Sequence, residues 1–199
     1  MALFSKEQIS VLHNTRQHFV KNLLKNIGPT EVIEHYSSRV KDNDSIANKL
    51  WGKQLNATVD NALDYLTDII GVRIVVHFIG DVYDIASKIR SQYEILEEID
   101  YITNPKDNGY RSLHMIVNAP VRTKDGDNGR VIPVEIQIRT VAMDCWASLE
   151  HQMFYKKEEC ERMELARKEL LHCAETLFST DMKMEAIQSI IQKTEKTEK

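Results

Sequence analysis

The sequence lacks the features that mark secreted, membrane-spanning and nucleic-acid-coating proteins. No apolar run approaches the roughly 18 residues of a spanning helix, and the N-terminal residues have no apolar signal-peptide core. The net charge of −4 argues against a protein that coats nucleic acid non-specifically, which needs a strongly basic balance. We therefore expect a cytoplasmic protein with no membrane partner, whose local clusters of cations suit a small anionic ligand.

Cysteine is also scarce. The three cysteines, Cys145, Cys160 and Cys173, are widely spaced and form no Cys-x-x-Cys pair. This spacing indicates neither a zinc site nor a disulfide framework, so we expect reduced, partly buried thiols. Internal repeats and low-complexity segments are absent from the sequence as well. A length of 199 residues fits one domain with a proper core.

Helices are predicted at the beginning of the chain. A capping-box pattern starts at Ser5, and apolar residues follow at helical spacing up to Ile27. Pro29 suits the first turn of a second helix that carries Ile33 and Tyr36 on one side. We expect both helices to act as packing elements without chemistry of their own.

The C-terminal part is also predicted to be helical. A helix is expected to begin at Val141, with Leu149 among the residues that pack inward. Two more helices are expected over residues 158–178 and 181–192, and residues 193–199 should be frayed.

Two segments between these helices have the pattern of sheet strands. Residues 68–78 are β-branched and nearly all apolar, which is typical of a central strand. Asp68 and Arg73 are therefore unfavourable there unless each has a partner, a metal or a ligand, and Gly71 between them allows close approach to the backbone. Residues 131–140 alternate strictly. Their polar face, a solvated surface or the floor of a site, carries Glu135, Gln137 and Arg139.

The remaining segments are separated by cap and turn signals. Thr58 is expected to cap a short helix, and another helix is expected over residues 80–92. A strand with an acidic, solvent-facing side is predicted over residues 93–103. Asp-Gly and Asn-Gly pairs predict a flexible hairpin loop over residues 124–130, and its flanking strands argue against a calcium loop.

Cations and a helix start converge ahead of the first central strand. Arg39 and Lys41 belong to a short extended piece and share one face of it. Asp44 or Ser45 can cap the helix that follows, and Ser45 and Lys49, four residues apart, share a face near its start. A helix start, a hydroxyl and three cations suit a polyphosphate, although a solvated basic patch explains the same residues.

The rest of the chain is organised around residues 104–114, Asn-Pro-Lys-Asp-Asn-Gly-Tyr-Arg-Ser-Leu-His. The stretch begins as a turn, with an Asn-Gly dipeptide, and ends as a strand. It offers the ring of Tyr110, the cations of Lys106 and Arg111, and the imidazole of His114. Such groups can hold a nucleotide by stacking and phosphate pairing. Taken alone, the stretch is equally compatible with an ordinary hairpin turn.

Five ordered blocks resemble the synthetase domain of the RelA/SpoT-homologue superfamily, and the short length is similar to that of a small alarmone synthetase. The blocks are Arg-x-Lys-x-x-x-Ser-x-x-x-Lys at 39–49, Asp-Ile-Ile-Gly-Val-Arg at 68–73, Pro-Lys-Asp-Asn-Gly-Tyr-Arg-Ser-Leu-His at 105–114, Val-Glu-Ile-Gln-Ile-Arg-Thr at 134–140 and Met-Asp-Cys-Trp-Ala-Ser-Leu-Glu-His at 143–151. No segment resembles the family's HD hydrolase domain. The first block departs from the pattern, because Leu50-Trp51-Gly52-Lys53 replaces a usual Arg-Lys-Gly and keeps only Lys53 of the basic pair.

The resemblance implies an α/β (α+β) fold, with a mixed five-stranded sheet flanked by helices and related to nucleotidyltransferases. The single synthetase domain would comprise N-terminal helices at 1–37, a catalytic core at 38–157 and C-terminal helices at 158–199. It also implies Mg²⁺-dependent transfer of the β,γ-pyrophosphate of ATP to the 3′-hydroxyl of GTP or GDP, giving the stringent-response alarmones pppGpp or ppGpp. Small synthetases are commonly homotetramers, and the apolar stripe over 165–177 suits that assembly or an intramolecular bundle.

The resemblance also implies residue roles on the ATP side. Arg39 and Arg73 would sandwich the adenine, because a guanidinium stacks on a ring as an ammonium cannot. The ATP phosphates would be held by Lys41, Ser45 and Lys49. Asp68 would bind Mg²⁺, and Glu135 would assist the metal and act as general base toward the 3′-hydroxyl.

The 104–114 stretch would form the GTP or GDP side. Tyr110 would stack on guanine, while Lys106 and His114 would reach the phosphates. Gln137 and Asp144 are further candidates for the guanine side. Arg139 is interpreted as structural, paired with a neighbouring carboxylate, and is left outside the site.

Two other functions remain open from the sequence. One is a toxin-like relative that pyrophosphorylates the 3′ end of tRNA, which the retained Tyr110 and Lys106 and the net charge of −4 disfavour only mildly. The other is a non-catalytic nucleotide sensor. The presence of both Asp68 and Glu135 argues against a sensor, because a binding protein does not need two carboxylates beside phosphates.

Overall fold

The computed structural model describes residues 3–28, 30–123, 126–154 and 161–197. The strands are β1 (Ile33–Val40), β2 (Ile70–Val76), β3 (Ile95–Asp100), β4 (Leu113–Thr123) and β5 (Gly126–Thr140). The helices are α1 (Lys6–Ile27), α2 (Asn43–Gly52), α3 (Val59–Tyr65), α4 (Ile79–Gln92), α5 (Val141–Phe154) and α6 (Glu161–Thr197). The strands form one sheet in the order β1-β2-β5-β4-β3, in which β2 is parallel to β5 and the other neighbours are antiparallel. This mixed five-stranded sheet confirms the predicted fold class.

The core lies between one face of the sheet and helices α1 and α4. Alternate residues of the two interior strands β2 and β5 are almost fully buried, including Ile70, Val72, Ile74, Val134, Ile136 and Ile138. The capping box at Ser5 is present, and α1 buries a stripe of residues at helical spacing. Because these apolar positions all face the helices, the polar positions between them face the opposite side of the sheet. Among the described helices, none is both long enough and apolar enough to cross a bilayer.

The predicted second N-terminal helix is wrong. Residues Thr30–Val32 form a single 3-10 turn, and the chain then enters the edge strand β1. From Tyr36 to Val40 this strand pairs residue by residue with β2, and this pairing outweighs the local preference that Pro29 suggested. Pro29 itself lies outside the described residues. The region predicted as N-terminal helices therefore holds one helix and the first half of a strand.

Several element boundaries also differ from prediction. Helix α2 is capped by Asp42, which accepts a hydrogen bond from the Ser45 N–H at 2.8 Å, rather than by Asp44 or Ser45. Strand β3 is shorter than the predicted 93–103, because Asp100 accepts hydrogen bonds from the next turn and ends the strand. Residues 126–130, predicted as loop, belong to β5, and the rest of that loop lies outside the described residues.

The C-terminal segment is one helix rather than two. Helix α6 continues through the predicted break at 179–180 and on to Thr197, within the segment predicted to be frayed, whose last two residues lie outside the described part of the chain. The hydroxyls of Thr176 and Thr180 each donate to a carbonyl four residues earlier at 2.9 Å, so these polar residues continue the helix. Residues 158–160, where the first of the two helices was predicted to begin, lie outside the described part of the chain.

Two side-chain predictions near the C-terminus are also wrong. Leu149 is 53% exposed instead of packing inward. Cys145 and Cys173 are free, as predicted, but they are exposed rather than partly buried. Cys160 lies outside the described residues.

Helix α6 packs against the loop of the 104–114 stretch. Gly109 has a φ of +90°, and a Cβ placed on it would lie 2.6 Å from the Cβ of Ala174. The neighbouring Arg111 points toward the same helix, where its guanidinium lies 3.8 Å from the ring centroid of Phe178. Glycine is therefore required at 109 both for its backbone conformation and for the close approach of α6.

We expect Gly109→Ala to lower the free energy of unfolding by roughly 2–4 kcal/mol, since strain at positive φ and overpacking act together. Urea unfolding measures this loss. Gly129→Ala is the matched control, because Gly129 has a φ of +75° but open space at its Cβ position. Equal losses for the two variants would contradict the close packing against Ala174.

Candidate active site

Strand register assembles a polar surface on the face of the sheet opposite α1 and α4. Residues that pair across neighbouring strands lie side by side on one face. One row contains Arg39, Gly71 and Glu135, and the next contains Ser37, Arg73, Gln137 and His114. Most of these residues line a cleft of about 310 Å³. A Cβ at Gly71 would meet nothing within 4 Å, so this glycine keeps the floor of the cleft open.

One end of the cleft holds a carboxylate between two ammonium groups. Asp68 Oδ2 lies 2.6 Å from Lys41 Nζ and 2.8 Å from Lys49 Nζ. Burial raises the pKa of Asp68, but the hydrogen bonds and charges of the two lysines outweigh burial and hold the pKa below its ordinary value. Asp68 Oδ1 is buried and has no hydrogen-bond partner among the described residues. The predicted Lys41, Lys49 and Asp68 are thus brought together.

Ser45 lies on the first turn of α2, on the side that carries Lys49. Its hydroxyl donates to Asp42 Oδ2 at 2.8 Å, so the helix cap holds it here. Lys53 follows Lys49 by four residues at the C-terminal end of α2. Lys53, which is the basic residue kept from the usual Arg-Lys-Gly sequence, therefore continues the helix face that carries Ser45 and Lys49.

Arg39 and Arg73 project from the same face of neighbouring strands, as their predicted role requires. Arg39 is exposed, and its backbone pairs with Gly71, two residues from Arg73. Arg73 Nη1 lies 3.1 Å from Asp144 Oδ1. Burial, together with the charge of Arg139, lowers the pKa of Arg73. The two guanidinium groups border the cleft at the end where β1 is the edge strand.

Glu135 faces the cleft from β5 with a neighbouring side chain at each carboxylate oxygen. Gln137 Nε2 donates to Oε2 at 2.7 Å, and His114 Nδ1 lies 3.3 Å from Oε1. Burial and the charge of Asp68 raise the pKa of Glu135, but the bonds from His114 and Gln137 hold it below its ordinary value. Glu135 is therefore ionised near neutral pH and can accept a proton or bind a cation.

The 104–114 stretch forms the wall beyond Glu135. The hydroxyl of Tyr110 lies 2.8 Å from His114 Nε2, and Lys106 Nζ lies 5.0 Å from the centroid of the Tyr110 ring. Tyr101 packs edge-on against both Tyr110 and His114, and it also lies under Lys106. Sequence reasoning missed Tyr101 because it follows an acidic strand without any motif. Arg111 turns away toward α6 and does not join the site.

Asp144 and Arg139 join the two sides of the cleft. Asp144 Oδ1 binds Arg139 Nη1 at 2.9 Å in addition to Arg73, so the predicted pairing of Arg139 with a neighbouring carboxylate is confirmed. Arg139 also donates to Tyr110 and Gln137, which sequence reasoning did not anticipate. The sequence did offer one signal for these contacts: Arg139 shares the polar face of β5 with Glu135 and Gln137.

The two carboxylates of the cleft, Asp68 and Glu135, fit a divalent cation that a substrate also coordinates. The described residues contain no group of three or more His, Cys, Asp or Glu that could hold a metal alone. Asp68 and Glu135 both line the cleft and lie close enough for one charge to raise the other's pKa. The unpartnered Asp68 Oδ1 adds a free oxygen ligand. Mg²⁺ is commonly held by one or two carboxylates together with substrate phosphates, which is the donor set that this cleft can supply.

Comparison with known proteins identifies the family. The family described as "Region found in RelA / SpoT proteins" matches residues 38–160, more than half of the chain. The chain belongs to the RelA/SpoT family. It is 42% identical over 154 residues to the GTP pyrophosphokinase YwaC of Bacillus subtilis (strain 168), covering 76% of this chain and 72% of that protein.

Solved structures of RelA/SpoT relatives share the fold. Small alarmone synthetase 1 from Bacillus subtilis bound to its product pppGpp is 28% identical, with a TM-score of 0.74 over 94% of each chain. The same synthetase bound to AMPCPP is 26% identical, with a TM-score of 0.71 over 95% of this chain and 100% of the other. The resemblance inferred from the five blocks is confirmed.

Asp68→Asn is expected to remove a stabilising contribution that exists only while Asp68 is charged. The pKa of Asp68 is lowered in the folded state, so its contribution is complete above the unfolded pKa of about 4 and is lost as pH falls through the folded pKa. The difference in unfolding free energy from the wild type should be on the order of 1–3 kcal/mol near neutral pH and should shrink at acidic pH. Chemical unfolding across that pH range measures it.

Asp64→Asn, which changes an exposed carboxylate on α3, is the control and should show little difference at any pH. An Asp68→Asn loss of the same size at acidic and neutral pH would contradict stabilisation by the two lysines.

Proposed function

We propose that this chain is a GTP pyrophosphokinase that transfers the β,γ-pyrophosphate of ATP to the 3′-hydroxyl of GTP or GDP. The products are AMP and pppGpp or ppGpp, the alarmones of the stringent response. The observation that carries the proposal is the pair of carboxylates, Asp68 and Glu135, in one cleft bordered by arginines and lysines. The GTP pyrophosphokinase name of the relative and the pppGpp and AMPCPP bound to the similar synthetase support it.

ATP occupies the end of the cleft near β1 and α2. Arg39 and Arg73 stack on the adenine, because planar guanidinium groups fit a ring face. The triphosphate lies against Lys41 and Lys49, which now neutralise Asp68, and the hydroxyl of Ser45 can turn from the helix cap toward a phosphate. These cations offset the negative charge that builds up on AMP as it leaves.

The acceptor nucleotide occupies the end near the 104–114 stretch. Tyr110 stacks on the guanine, and the exposed Lys106 beside it reaches the acceptor phosphates. We assign the other candidates for this side to the border of the acceptor site, where each is held by a neighbouring side chain. They are His114, Gln137 and Asp144.

Glu135 acts as the general base. Its pKa lies below the ordinary value, so it is ionised when the acceptor 3′-hydroxyl arrives. The 3′-oxygen forms a bond to the β-phosphorus of ATP, the bond from that phosphorus to the AMP oxygen breaks, and Glu135 takes the hydroxyl proton. Mg²⁺, held by Asp68, Glu135 and the phosphates, would supply charge neutralisation at the transferred group.

A homo-oligomer, tetrameric by resemblance to small synthetases, is also part of the proposal. The apolar stripe of α6 is divided between two environments. Ala174 is buried within the chain, whereas Leu165 is 62% exposed. The exposed portion supports packing against a second copy.

Product analysis tests the function directly. Purified protein is incubated with ATP carrying a label in its γ-phosphate, with Mg²⁺ or EDTA, and with GMP, GDP, GTP or tRNA offered separately. We expect AMP and a 3′-pyrophosphorylated guanosine nucleotide, and no product in EDTA. Binding of both nucleotides without this product would refute the proposal, and label transfer to tRNA alone would favour a tRNA pyrophosphokinase.

Glu135→Gln is expected to lower kcat by about 10²- to 10⁴-fold, the range typical of general-base catalysis. The affinity for ATP should change much less, since the variant removes a base rather than a nucleotide contact. Turnover and equilibrium ATP binding measure the two effects. Glu97→Gln, on the exposed side of β3, is the matched control and should keep wild-type turnover. Near wild-type turnover in Glu135→Gln would assign the base to another group.

A further inference from the structure

A hydrogen-bond network runs from the buried side chain of Arg139 to Glu135. Its side chain is 5% exposed, and Nη1 is anchored by Asp144 at 2.9 Å. Nη2 donates to the Tyr110 hydroxyl at 2.7 Å and to Gln137 Oε1 at 2.9 Å. A guanidinium group only donates hydrogen bonds and stays protonated in proteins. The direction of every bond that starts at Arg139 is therefore fixed.

The first branch runs through Gln137. Because Arg139 can only donate, the amide group of Gln137 must turn its oxygen toward Arg139. Its Nε2 then faces Glu135 Oε2, to which it donates at 2.7 Å. The assignment of oxygen and nitrogen in this amide, which is otherwise ambiguous, follows from the arginine.

The second branch runs through Tyr110 and His114. The Tyr110 oxygen accepts from Arg139, which leaves its own proton available for His114 Nε2, 2.8 Å away. A neutral His114 that accepts at Nε2 carries its hydrogen on Nδ1, which lies 3.3 Å from Glu135 Oε1. The opposite tautomer would turn the Nδ1 lone pair toward the carboxylate, which is repulsive. Arg139 thus favours the tautomer that donates to Glu135.

We propose that Arg139 is a positioning residue that directs two hydrogen-bond branches onto the two oxygens of Glu135 and so holds this base in its working orientation. The inference rests on the proposed function, in which Glu135 takes the 3′-hydroxyl proton. Each carboxylate oxygen has about two lone-pair positions. The branches occupy one position on each oxygen and leave the others for the acceptor hydroxyl and a cation in the cleft. Bonds in such a chain also polarise one another.

The first test reads the His114 tautomer without nucleotide or metal. Protein with ¹⁵N-labelled histidine is studied by long-range ¹H–¹⁵N correlation at mildly alkaline pH, where an ordinary imidazole is neutral. Comparison with His114→Gln assigns the signals. We expect the Nδ1–H tautomer in the wild type and a loss of this preference in Arg139→Met. An Nε2–H tautomer in the wild type, or an unchanged tautomer in Arg139→Met, would overturn the proposal.

Two milder variants keep this test informative if Arg139→Met does not fold. Tyr110→Phe breaks only the second branch, so it should change the His114 tautomer. Gln137→Met breaks only the first branch, so it should leave the tautomer unchanged. A changed tautomer in Gln137→Met with an unchanged tautomer in Tyr110→Phe would overturn the assignment of His114 to the second branch.

The second test is kinetic. Arg139→Met should lower kcat by about 10- to 100-fold, the range seen for outer-shell residues that orient metal ligands, with a change in the KM for ATP of less than about threefold. In the Tyr110→Phe/Gln137→Met background, where both branches are already broken, the same change should lower kcat by less than about threefold. Equal factors in both backgrounds would overturn the proposal, as would a loss confined to KM.

Arg90→Met is the matched control, since it removes a surface arginine that binds Glu98 away from the cleft, and it should leave kcat unchanged. The proposed function and this inference can fail separately. A wild-type protein without pyrophosphate transfer would refute the function, whereas an active wild type with an unaffected Arg139→Met would refute only the role of Arg139.

Discussion

The cleft depends on the parallel pairing of β2 with β5, which sets Gly71 beside Glu135 and Arg73 beside Gln137. A shift of this register by one residue would turn every side chain of one strand to the other face. The core opposes such a shift, because residues such as Ile74 and Ile138 are fully buried under the helices. The register that buries the apolar face therefore also assembles the polar face, and the stability of the core maintains the geometry of the cleft.

The charged groups of the cleft are paired with one another before any ligand binds. Lys41 and Lys49 neutralise Asp68, and Arg73 is held by Asp144. Unpaired charges in a half-buried cleft would be unfavourable, so these pairs allow the folded chain to keep several cations close together. In the proposed function, the cations exchange these carboxylates for the phosphates of an arriving triphosphate. A net charge of −4 does not oppose this exchange, because local cations, not the total charge, face the cleft.

Sequence reasoning succeeded where the pattern is local and failed where distant residues decide. The apolar run of β2 and the alternation of β5 predicted both strands, their buried faces and the polar face with Glu135. The strand at Tyr36 and the continuous helix at Thr180 were missed, since each depends on a partner far along the chain. Asp181, for example, follows residues that favour caps and turns, yet it remains helical and accepts a hydrogen bond from Thr140, 41 residues away. The contacts of Arg139 were likewise hidden, because its bond to Tyr110 requires the Tyr110 loop to fold over β5.

Helix α6 connects these long-range contacts to the chemistry. Three consecutive loop residues alternate between two partners: Gly109 and Arg111 contact α6, at Ala174 and Phe178, whereas Tyr110 between them joins the network that ends on Glu135. Because the residues on both sides of Tyr110 are fixed by the helix, the position of its hydroxyl depends on how α6 is packed. The bond from Thr140 to Asp181 joins the same helix to the residue that follows Arg139 on β5. Helix α6 therefore supports both ends of the bond between Arg139 and Tyr110, and through this bond it contributes to the orientation of Glu135, the proposed base.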